Sequence, residues 1–355
     1  MAGKQIIVVG AGIIGASIAW HLAAEGAAVT IVEAGEPGGV ATPCSFGWIN
    51  ASWGNPEPYF RLRIRAMEAW TRLQEELPAL PLSWCGGLLW DMPREGLQDY
   101  AQRHGGWGYP VRLVERDEIV RIEPNLADPP ELAVYVPAEG VAEPVATARL
   151  FVAAAMERGA RLLSGVTVAA VARRSGGVAV ETGGGPLAAD AVVIAAGTAT
   201  AKLAASVGAT VPLVHSPGLL VHSRPFRPLL QGLVMGEAAH IRQTPEGRLV
   251  AGADFGGTEV GPDPDSAAAT TFAAMRGMLR GAEALEPDFH TIGYRPMAQD
   301  GFPVVGEVAE NVFVAVTHSG VTLAAGLGRF VADEVLHRRQ EPLLAPYRPS
   351  RFGDR

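Results

Sequence analysis

Hydrophobic positions near the start of the chain predict a strand, a helix and a second strand. Residues 5–9 (QIIVV) form a short apolar, β-branched run that is typical of a buried strand, and residues 28–33 (AVTIVE) form another. Between them, residues 13–25 (IIGASIAWHLAAE) predict a helix, which Gly26 would end. This order predicts parallel pairing of the two strands through a right-handed crossover.

The rest of the chain mixes helix patterns with shorter strand patterns. Residues 34–56 contain many Gly, Pro, Ser and Asn residues and predict a long loop, and residues 57–76 predict a helix that stops before Pro78. The remaining predicted elements are helices at about 145–158, 265–285 and 320–338, strands near 162–173, 177–182, 188–194 and 311–316, and a strand-rich stretch over about 211–260. Parallel α/β patterns at both ends therefore flank strand-rich segments.

Composition and charge narrow the class of protein. The 355 residues, of which 48% are hydrophobic, allow two domains, or one large α/β unit with an insert, at roughly 100–200 residues per domain. The net charge of −8 and the lack of a Lys/Arg cluster argue against nucleic acid as a partner. The longest apolar runs fall short of the roughly 18 residues that a membrane span needs, so none is predicted.

The apolar N-terminal run does not predict a signal peptide, because glycines interrupt it and no clean cleavage site follows. The two cysteines, Cys44 and Cys85, form neither a CxxC pair nor a metal-ligand set. We therefore expect a cytoplasmic protein with reduced thiols and no bound metal.

A dinucleotide-binding motif joins the first predicted strand to the first helix. Gly10, Gly12 and Gly15 form GxGxxG, and Glu33 ends the second strand 18 residues later. Gly10 would allow a tight turn, Gly12 a close approach of the backbone to a pyrophosphate, and Gly15 close packing of helix on strand. The helix N-terminus would face the phosphates, and Glu33 would bind a ribose diol. The motif alone does not distinguish NAD from FAD.

Three distant segments add to this motif. They are residues 189–197 (ADAVVIAAG), residues 294–306 (YRPMAQDGFPVVG) and residues 312–326 (VFVAVTHSGVTLAAG). Together with the N-terminus they resemble the D-amino-acid oxidase superfamily of FAD-dependent oxidoreductases, which includes glycine oxidase, sarcosine oxidase and D-amino-acid dehydrogenases. The resemblance is strong at both ends of the chain and weak over about 85–140 and 215–290.

The resemblance implies an α/β fold in two parts. A Rossmann-like FAD-binding domain would be assembled from residues 1–84, 141–212 and 291–355. A substrate domain of α+β type, built on a large antiparallel β-sheet, would comprise residues 85–140 and 213–290.

The resemblance also implies a set of residues around FAD. Val168 would meet the adenine, the loop 41–47 would pass the isoalloxazine ring, and the last helix would point at the flavin. The implied residues are Gly10, Gly12, Ile13, Ile14, Gly15, Glu33, Ala34, Thr42, Ser45, Phe46, Gly47, Val168, Ala196, Gly197, Gly320, Val321 and Thr322. Some relatives hold FAD through a C-terminal cysteine, but no cysteine follows Cys85, so we expect non-covalent FAD.

Three residues are candidates for the catalytic site. Arg295 resembles the arginine that anchors the substrate carboxylate, and its planar fork suits a carboxylate, although a structural salt bridge is the alternative. His240 and His318 fall near substrate and flavin in the family pattern, although a lone histidine is more often structural. Arg242 is a candidate second anion contact. We expect Phe46, Trp48 and Trp53 to pack, although Phe46 or Trp48 could line the site.

The resemblance implies oxidation of the C–N bond of an amino acid or a secondary or N-methyl amine. Hydride transfer to flavin N5 would give an imine that water hydrolyses. The electron acceptor, O2 or another, stays open, because Val250 stands where sarcosine oxidases place an oxygen-activating lysine. The alternatives are a flavin-binding subunit of a multi-subunit amine dehydrogenase and an NAD(P)H-reduced flavin monooxygenase. A homo-oligomer or a heteromeric dehydrogenase is also open.

Overall fold

A computed structural model describes residues 3–51, 54–253 and 260–353 of the chain. Trp53, for which the sequence predicts packing, and residues 254–259 of the predicted strand-rich stretch lie outside these ranges. None of the helices in the described ranges is long and apolar enough to cross a membrane.

The helices agree closely with the predicted ones at the N-terminal end. They are α1 (Ile13–Ala24), α2 (Glu57–Glu76), α3 (Arg94–Gly106), α4 (Arg116–Ile122), α5 (Pro144–Glu157), α6 (Thr200–Ala205), α7 (Pro264–Gly277) and α8 (Gly320–His337). Short 3₁₀ turns lie at Thr42–Cys44, Gly197–Ala199, Pro342–Tyr347 and Pro349–Phe352.

The strands are short, and most of them are buried. They are β1 (Gln5–Val9), β2 (Ala28–Val32), β3 (Trp48–Ile49), β4 (Leu82–Ser83), β5 (Gly87–Leu89), β6 (Arg112–Glu115), β7 (Leu132–Val136), β8 (Gly140–Ala142), β9 (Arg161–Leu163), β10 (Val168–Arg174), β11 (Gly177–Thr182), β12 (Gly185–Ala189), β13 (Ala191–Ile194), β14 (Leu213–Val214), β15 (Pro217–Ser223), β16 (Leu233–Met235), β17 (His240–Gln243), β18 (Leu249–Gly252), β19 (Pro287–Tyr294), β20 (Met297–Ala298), β21 (Val304–Ala309) and β22 (Val312–Val316).

A six-stranded sheet forms the centre of the nucleotide-binding part, in the order β21-β22-β13-β1-β2-β9. The pairings are parallel except that between β21 and β22. Strands β1 and β13 are apolar because both faces of this sheet are covered. Helix α1 packs against α5 and α8 on one face. The carboxyl ends of β1 and β2 therefore meet at one edge, beside the start of α1.

An eight-stranded sheet forms the other part, in the order β19-β15-β18-β17-β16-β5-β7-β6. Its pairings are antiparallel except that between β16 and β5. Its strands come from residues 87–136 and 217–294, and α7 packs against β15 and β18. The exact domain ranges given by the sequence stay a prediction.

Three predicted elements differ from the observed ones. The predicted strand 162–173 is two strands, because Gly165, at φ +71°, turns the chain from β9 into a separate three-stranded sheet, β10-β11-β12. The predicted strand 188–194 divides at Asp190 into β12 and β13, which belong to different sheets. The predicted helix 265–285 ends at Gly277. Apolar patterns run across these junctions, so hydrophobicity alone does not reveal them.

Candidate active site

A cavity of about 580 Å³ lies beside the carboxyl ends of β1 and β2. Most of the residues implied for FAD line it: Gly10, Gly12, Ile13, Ile14, Glu33, Ala34, Thr42, Ser45, Val168, Ala196, Gly197, Gly320 and Val321. We call this space the cofactor cavity. Strands β1, β2 and β22, the segment after β13, the turn before β10 and the start of α8 all contribute to its walls.

The three motif glycines occupy distinct environments. Gly10 has φ +103°, and an added Cβ would lie 2.5 Å from the Ala195 carbonyl oxygen. At Gly15 an added Cβ would lie 2.0 Å from the Gly10 carbonyl oxygen, so only glycine lets α1 pack this closely. Gly12 is different, because its added Cβ would meet only Thr42 Oγ1, at 3.4 Å. Gly15 is therefore required for the packing of α1, whereas Gly12 leaves space in the cavity that a side chain would fill.

Polar side chains brace this loop from outside the motif. The Glu33 carboxylate accepts hydrogen bonds from the Ala11 N–H at 2.6 Å and the Gly35 N–H at 3.0 Å. Thr42 Oγ1 accepts one from the Ile13 N–H at 3.2 Å, in the first turn of α1. Glu33 therefore holds the loop in shape as well as lining the cavity, and its predicted contact with a ribose stays a prediction.

A second cavity of about 300 Å³ adjoins the first, and we call it the substrate cavity. Both cavities are lined by Ser45, Tyr294, His318, Gly320 and Val321. The three implied FAD residues Phe46, Gly47 and Thr322 line only the substrate cavity. The two spaces therefore adjoin at the start of α8.

The charged side chains in the described lining of the substrate cavity are arginines. Arg63 and Arg295 line it, and its lining contains no aspartate or glutamate among residues 3–51, 54–253 and 260–353. The Arg295 side chain crosses β15: Nη1 donates to the Pro217 carbonyl oxygen at 3.2 Å, and Nη2 lies 2.7 Å from where a Cβ on Gly218 would be. Gly218 therefore makes room for the guanidinium, which carries positive charge at the cavity wall.

His318 lines the substrate cavity together with the two arginines. Its side chain is exposed where it lines both cavities, yet protein atoms surround the ring on its other sides. This burial, together with the charges of Arg63 and Arg295, lowers the pKa of His318 to about 4. The imidazole is therefore neutral at neutral pH.

His240 and Arg242 lie away from these side chains. His240 Nε2 is 3.0 Å from Asp91 Oδ2 in a buried pair, and Arg242 pairs with Glu143, with its guanidinium 5.9 Å from the Phe46 ring. Neither residue lines the two cavities in the described structure. The structure thus brings Arg295 and His318 together without His240, whose catalytic role stays a prediction.

Arg63 was missed by sequence reasoning. It lies on the buried stripe of α2 that includes Tyr59, Phe60, Met67 and Trp70. A charged residue at such a position is uncommon, because a buried cation needs compensation. The helical periodicity of residues 57–76 could therefore have indicated Arg63, because it is the arginine that falls on the apolar stripe of the helix.

The sequence predicts that Trp48 packs, with a place in the lining of the site as the alternative. It does line the substrate cavity, and its Nε1 donates to Glu139 Oε2 at 2.8 Å. Tyr109 donates to the other oxygen of Glu139 at 2.9 Å, and the burial of Tyr109 raises its pKa well above the usual value. A buried carboxylate therefore fixes the indole.

These residues fit a flavin dinucleotide. The cofactor cavity has the glycine loop, the start of α1 and an acidic residue for an ADP moiety, and it opens at α8 into a cavity that carries positive charge. A Cβ on Gly197, in the cofactor cavity wall, would meet nothing within 4 Å, so the wall stays open there. The fold and site thus define a dinucleotide-dependent oxidoreductase.

The chain belongs to the DAO family of FAD-dependent oxidoreductases, whose model matches residues 5–334. It is 31% identical to a glycine oxidase of Geobacillus kaustophilus, over 97% of this chain and 96% of the relative. It is 26% identical to an opine oxidase subunit of Rhizobium meliloti, over 98% of this chain and 97% of the relative. The crystal structure of glycine oxidase from G. kaustophilus superposes with a TM-score of 0.87 at 28% identity and covers 98% of this chain and 99% of that one.

The predicted family, α/β fold class and FAD cofactor are therefore confirmed, and the protein is an enzyme. The role of each site residue is still a prediction.

Proposed function

We propose that this enzyme oxidises the C–N bond of an amino acid whose carboxylate binds Arg295. The observation that carries this proposal is the substrate cavity itself, which adjoins the cofactor cavity and has arginines and no acid in its described lining. Guanidinium groups bind carboxylates through paired, charge-assisted hydrogen bonds. A substrate with a free carboxylate is therefore favoured over a simple amine.

The lining also favours a neutral amine on the bound substrate. An ammonium group would need an anionic or strongly accepting partner, and the described cavity walls provide Arg63 and Arg295 instead. His318 is neutral at neutral pH, so its ring adds no third positive charge. FAD, when bound, would supply the acceptor for the hydride that leaves the substrate carbon. The protein holds the carboxylate, and water hydrolyses the resulting imine.

Similarity to a glycine oxidase supports a small amino acid as substrate, and similarity to an opine oxidase subunit supports an N-substituted one. The second relative also favours one alternative, in which this chain is the flavin-binding subunit of a larger amine dehydrogenase. Val250, which stands where the resemblance implies an oxygen-activating lysine, is a buried aliphatic residue of β18. We therefore favour an electron acceptor other than O2.

The test is an anaerobic absorption titration of the FAD-loaded protein with glycine, D- and L-amino acids, N-methyl amino acids and N-(carboxyalkyl) amino acids. We expect one carboxylate-bearing compound to bleach the flavin band, and its amide, which lacks the carboxylate charge, to fail. Admitting air afterwards separates an oxidase from a dehydrogenase. Bleaching by NADPH and by none of these compounds would replace the proposal with a monooxygenase.

A further inference from the structure

Arg63 is a buried cation whose hydrogen bonds, among the described residues, end on neutral groups. Its side chain is enclosed between α2, the Asn50 loop and the start of α8, and the residue is 5% exposed. Nε donates to the Asn50 carbonyl oxygen at 2.9 Å, and Nη1 donates to Ser319 Oγ at 2.8 Å. Nη2 donates to Asn50 Oδ1 at 2.5 Å and to Thr322 Oγ1 at 3.4 Å.

No carboxylate forms an ion pair with Arg63 in the part of the chain that the structure describes. Other enclosed arginines differ: Arg242 pairs with Glu143, and Arg348 pairs with Glu334. A buried guanidinium without a counter-charge is destabilising, so its retention in a cavity wall points to an anion that arrives with a ligand.

The location of Arg63 indicates which anion this is. Its two side-chain acceptors at the start of α8, the preceding residue Ser319 and the helical residue Thr322, flank Gly320 and Val321, which line both cavities. The start of α8 also carries the positive end of the helix dipole. Arg63 thus adds a full charge behind a helix end that already favours negative charge.

We propose that Arg63 is a positioning residue that stabilises the reduced form of bound FAD and so raises its reduction potential. Reduction adds two electrons and one proton to the flavin, which then carries one negative charge. Arg63 acts through the Ser319–Thr322 turn, which it holds in place, and through its own charge. This inference depends on the FAD site and not on the identity of the substrate.

The substrate carboxylate is the less favoured partner. Arg63 is enclosed, and its donors already engage Asn50, Ser319 and Thr322, whereas Arg295 lies across the wall shared by β15 and β19. The two arginines would therefore each stabilise a different anion. Arg295 would take the substrate carboxylate and Arg63 the charge that develops on the cofactor.

The experiment compares reduction potentials of the FAD-loaded protein by anaerobic dye equilibration. We expect Arg63→Met to lower the potential by about 30 mV or more, which for a two-electron couple is a tenfold loss in relative affinity for reduced FAD. Arg63→Lys keeps the charge and should retain most of the potential. Arg65→Met is the matched control, because Arg65 is exposed on the same helix and pairs with Glu68.

Sulfite binding gives a second readout that requires no turnover, because the adduct it forms with oxidised flavin is anionic. We expect the dissociation constant for sulfite to rise about tenfold in Arg63→Met, the same loss of anion stabilisation, and to be unchanged in Arg65→Met. FAD content and melting temperature identify variants that remain loaded. If Arg63→Met does not retain FAD, Arg63→Gln carries the same expectation, since it keeps a donor without the charge.

An unchanged potential and sulfite affinity in a loaded variant without the charge would overturn the proposal. A raised KM for the amino acid at an unchanged potential would also overturn it, and would assign Arg63 to the substrate carboxylate. If no compound reduces the wild-type protein although dithionite does, the proposed substrate class fails while the potential measurement still decides the role of Arg63.

Discussion

The cofactor cavity and the substrate cavity are built in different ways. The cofactor cavity is shaped by backbone and by missing side chains, above all at Gly10, Gly12 and Gly197. The substrate cavity is shaped by long side chains, with Arg63 brought in from α2 and Arg295 from the segment after β19, more than 200 positions later in the chain. An added side chain at Gly10 would meet backbone, whereas one at Gly12 or Gly197 would extend into the space for the ligand. The substrate cavity depends instead on which charged side chains folding brings together.

The largest effect is expected when Gly15→Ala is compared with Gly12→Ala, which separates packing of the glycine loop from FAD binding. The first forces a Cβ onto the Gly10 carbonyl oxygen, so we expect about 3 kcal/mol of destabilisation or failure to fold. The second adds a methyl group to an open wall, so the fold should persist while FAD affinity falls about tenfold. Urea unfolding and FAD titration measure the two effects. Equal losses of stability would show that packing does not distinguish the two glycines.

The next largest effect concerns the substrate cavity alone. Arg295→Met removes the carboxylate partner, so kcat/KM for the amino acid should fall roughly 10- to 100-fold, as expected for about 1.5–3 kcal/mol from charged hydrogen bonds. Arg295→Lys keeps the charge but loses the planar fork, so its kcat/KM should lie between those of the wild type and Arg295→Met. FAD affinity should not change in either variant. Steady-state kinetics and FAD titration check this, and a KM within twofold of the wild type would contradict the assignment.

Acid should weaken the packing of both parts of the fold. Burial lowers the pKa of His21, in the last turn of α1, and of His222, on β15, to about 4 in each case. Because the unfolded chain binds these protons near pH 6.5, the stability they contribute is complete above pH 6.5 and is lost as pH falls toward 4. Urea unfolding at several pH values measures the slope. His21→Gln and His222→Gln should each reduce it, and an unchanged slope in both would refute this origin.

The smallest effect tests how Trp48 is held. Glu139→Gln leaves one of two hydrogen-bond donors, Trp48 Nε1 or Tyr109 Oη, facing an amide NH2 group. We expect a loss of about 1–3 kcal/mol in stability and a change in KM without a change in FAD affinity. Glu131→Gln, at an exposed pair with Arg116, is the control and should stay within about 0.5 kcal/mol. Chemical unfolding and kinetics provide the measurements; a shift in FAD affinity alone would contradict this role.

Much of the nucleotide-binding part was predictable because its signals are local. The strand 5–9 and the helix 57–76 match β1 and α2 residue for residue, and the helix 13–25 overruns α1 by one residue. Where the predictions were wrong, at 162–173 and 188–194, one apolar run continued into a second sheet. A pattern of hydrophobic residues indicates that a segment is buried, but it does not indicate which sheet or helix covers that segment.

The sequence by itself determined the strand–glycine loop–helix unit, the acidic residue that follows it and the resemblance that implied FAD, because these depend on residues close together in the chain. Only the tertiary structure decided that Arg63 joins Arg295 and His318 at one cavity while His240 pairs with Asp91 elsewhere. That difference has a physical reason. Glycine acts through its own backbone wherever it lies, whereas a charged side chain acquires its role from the groups that folding places around it.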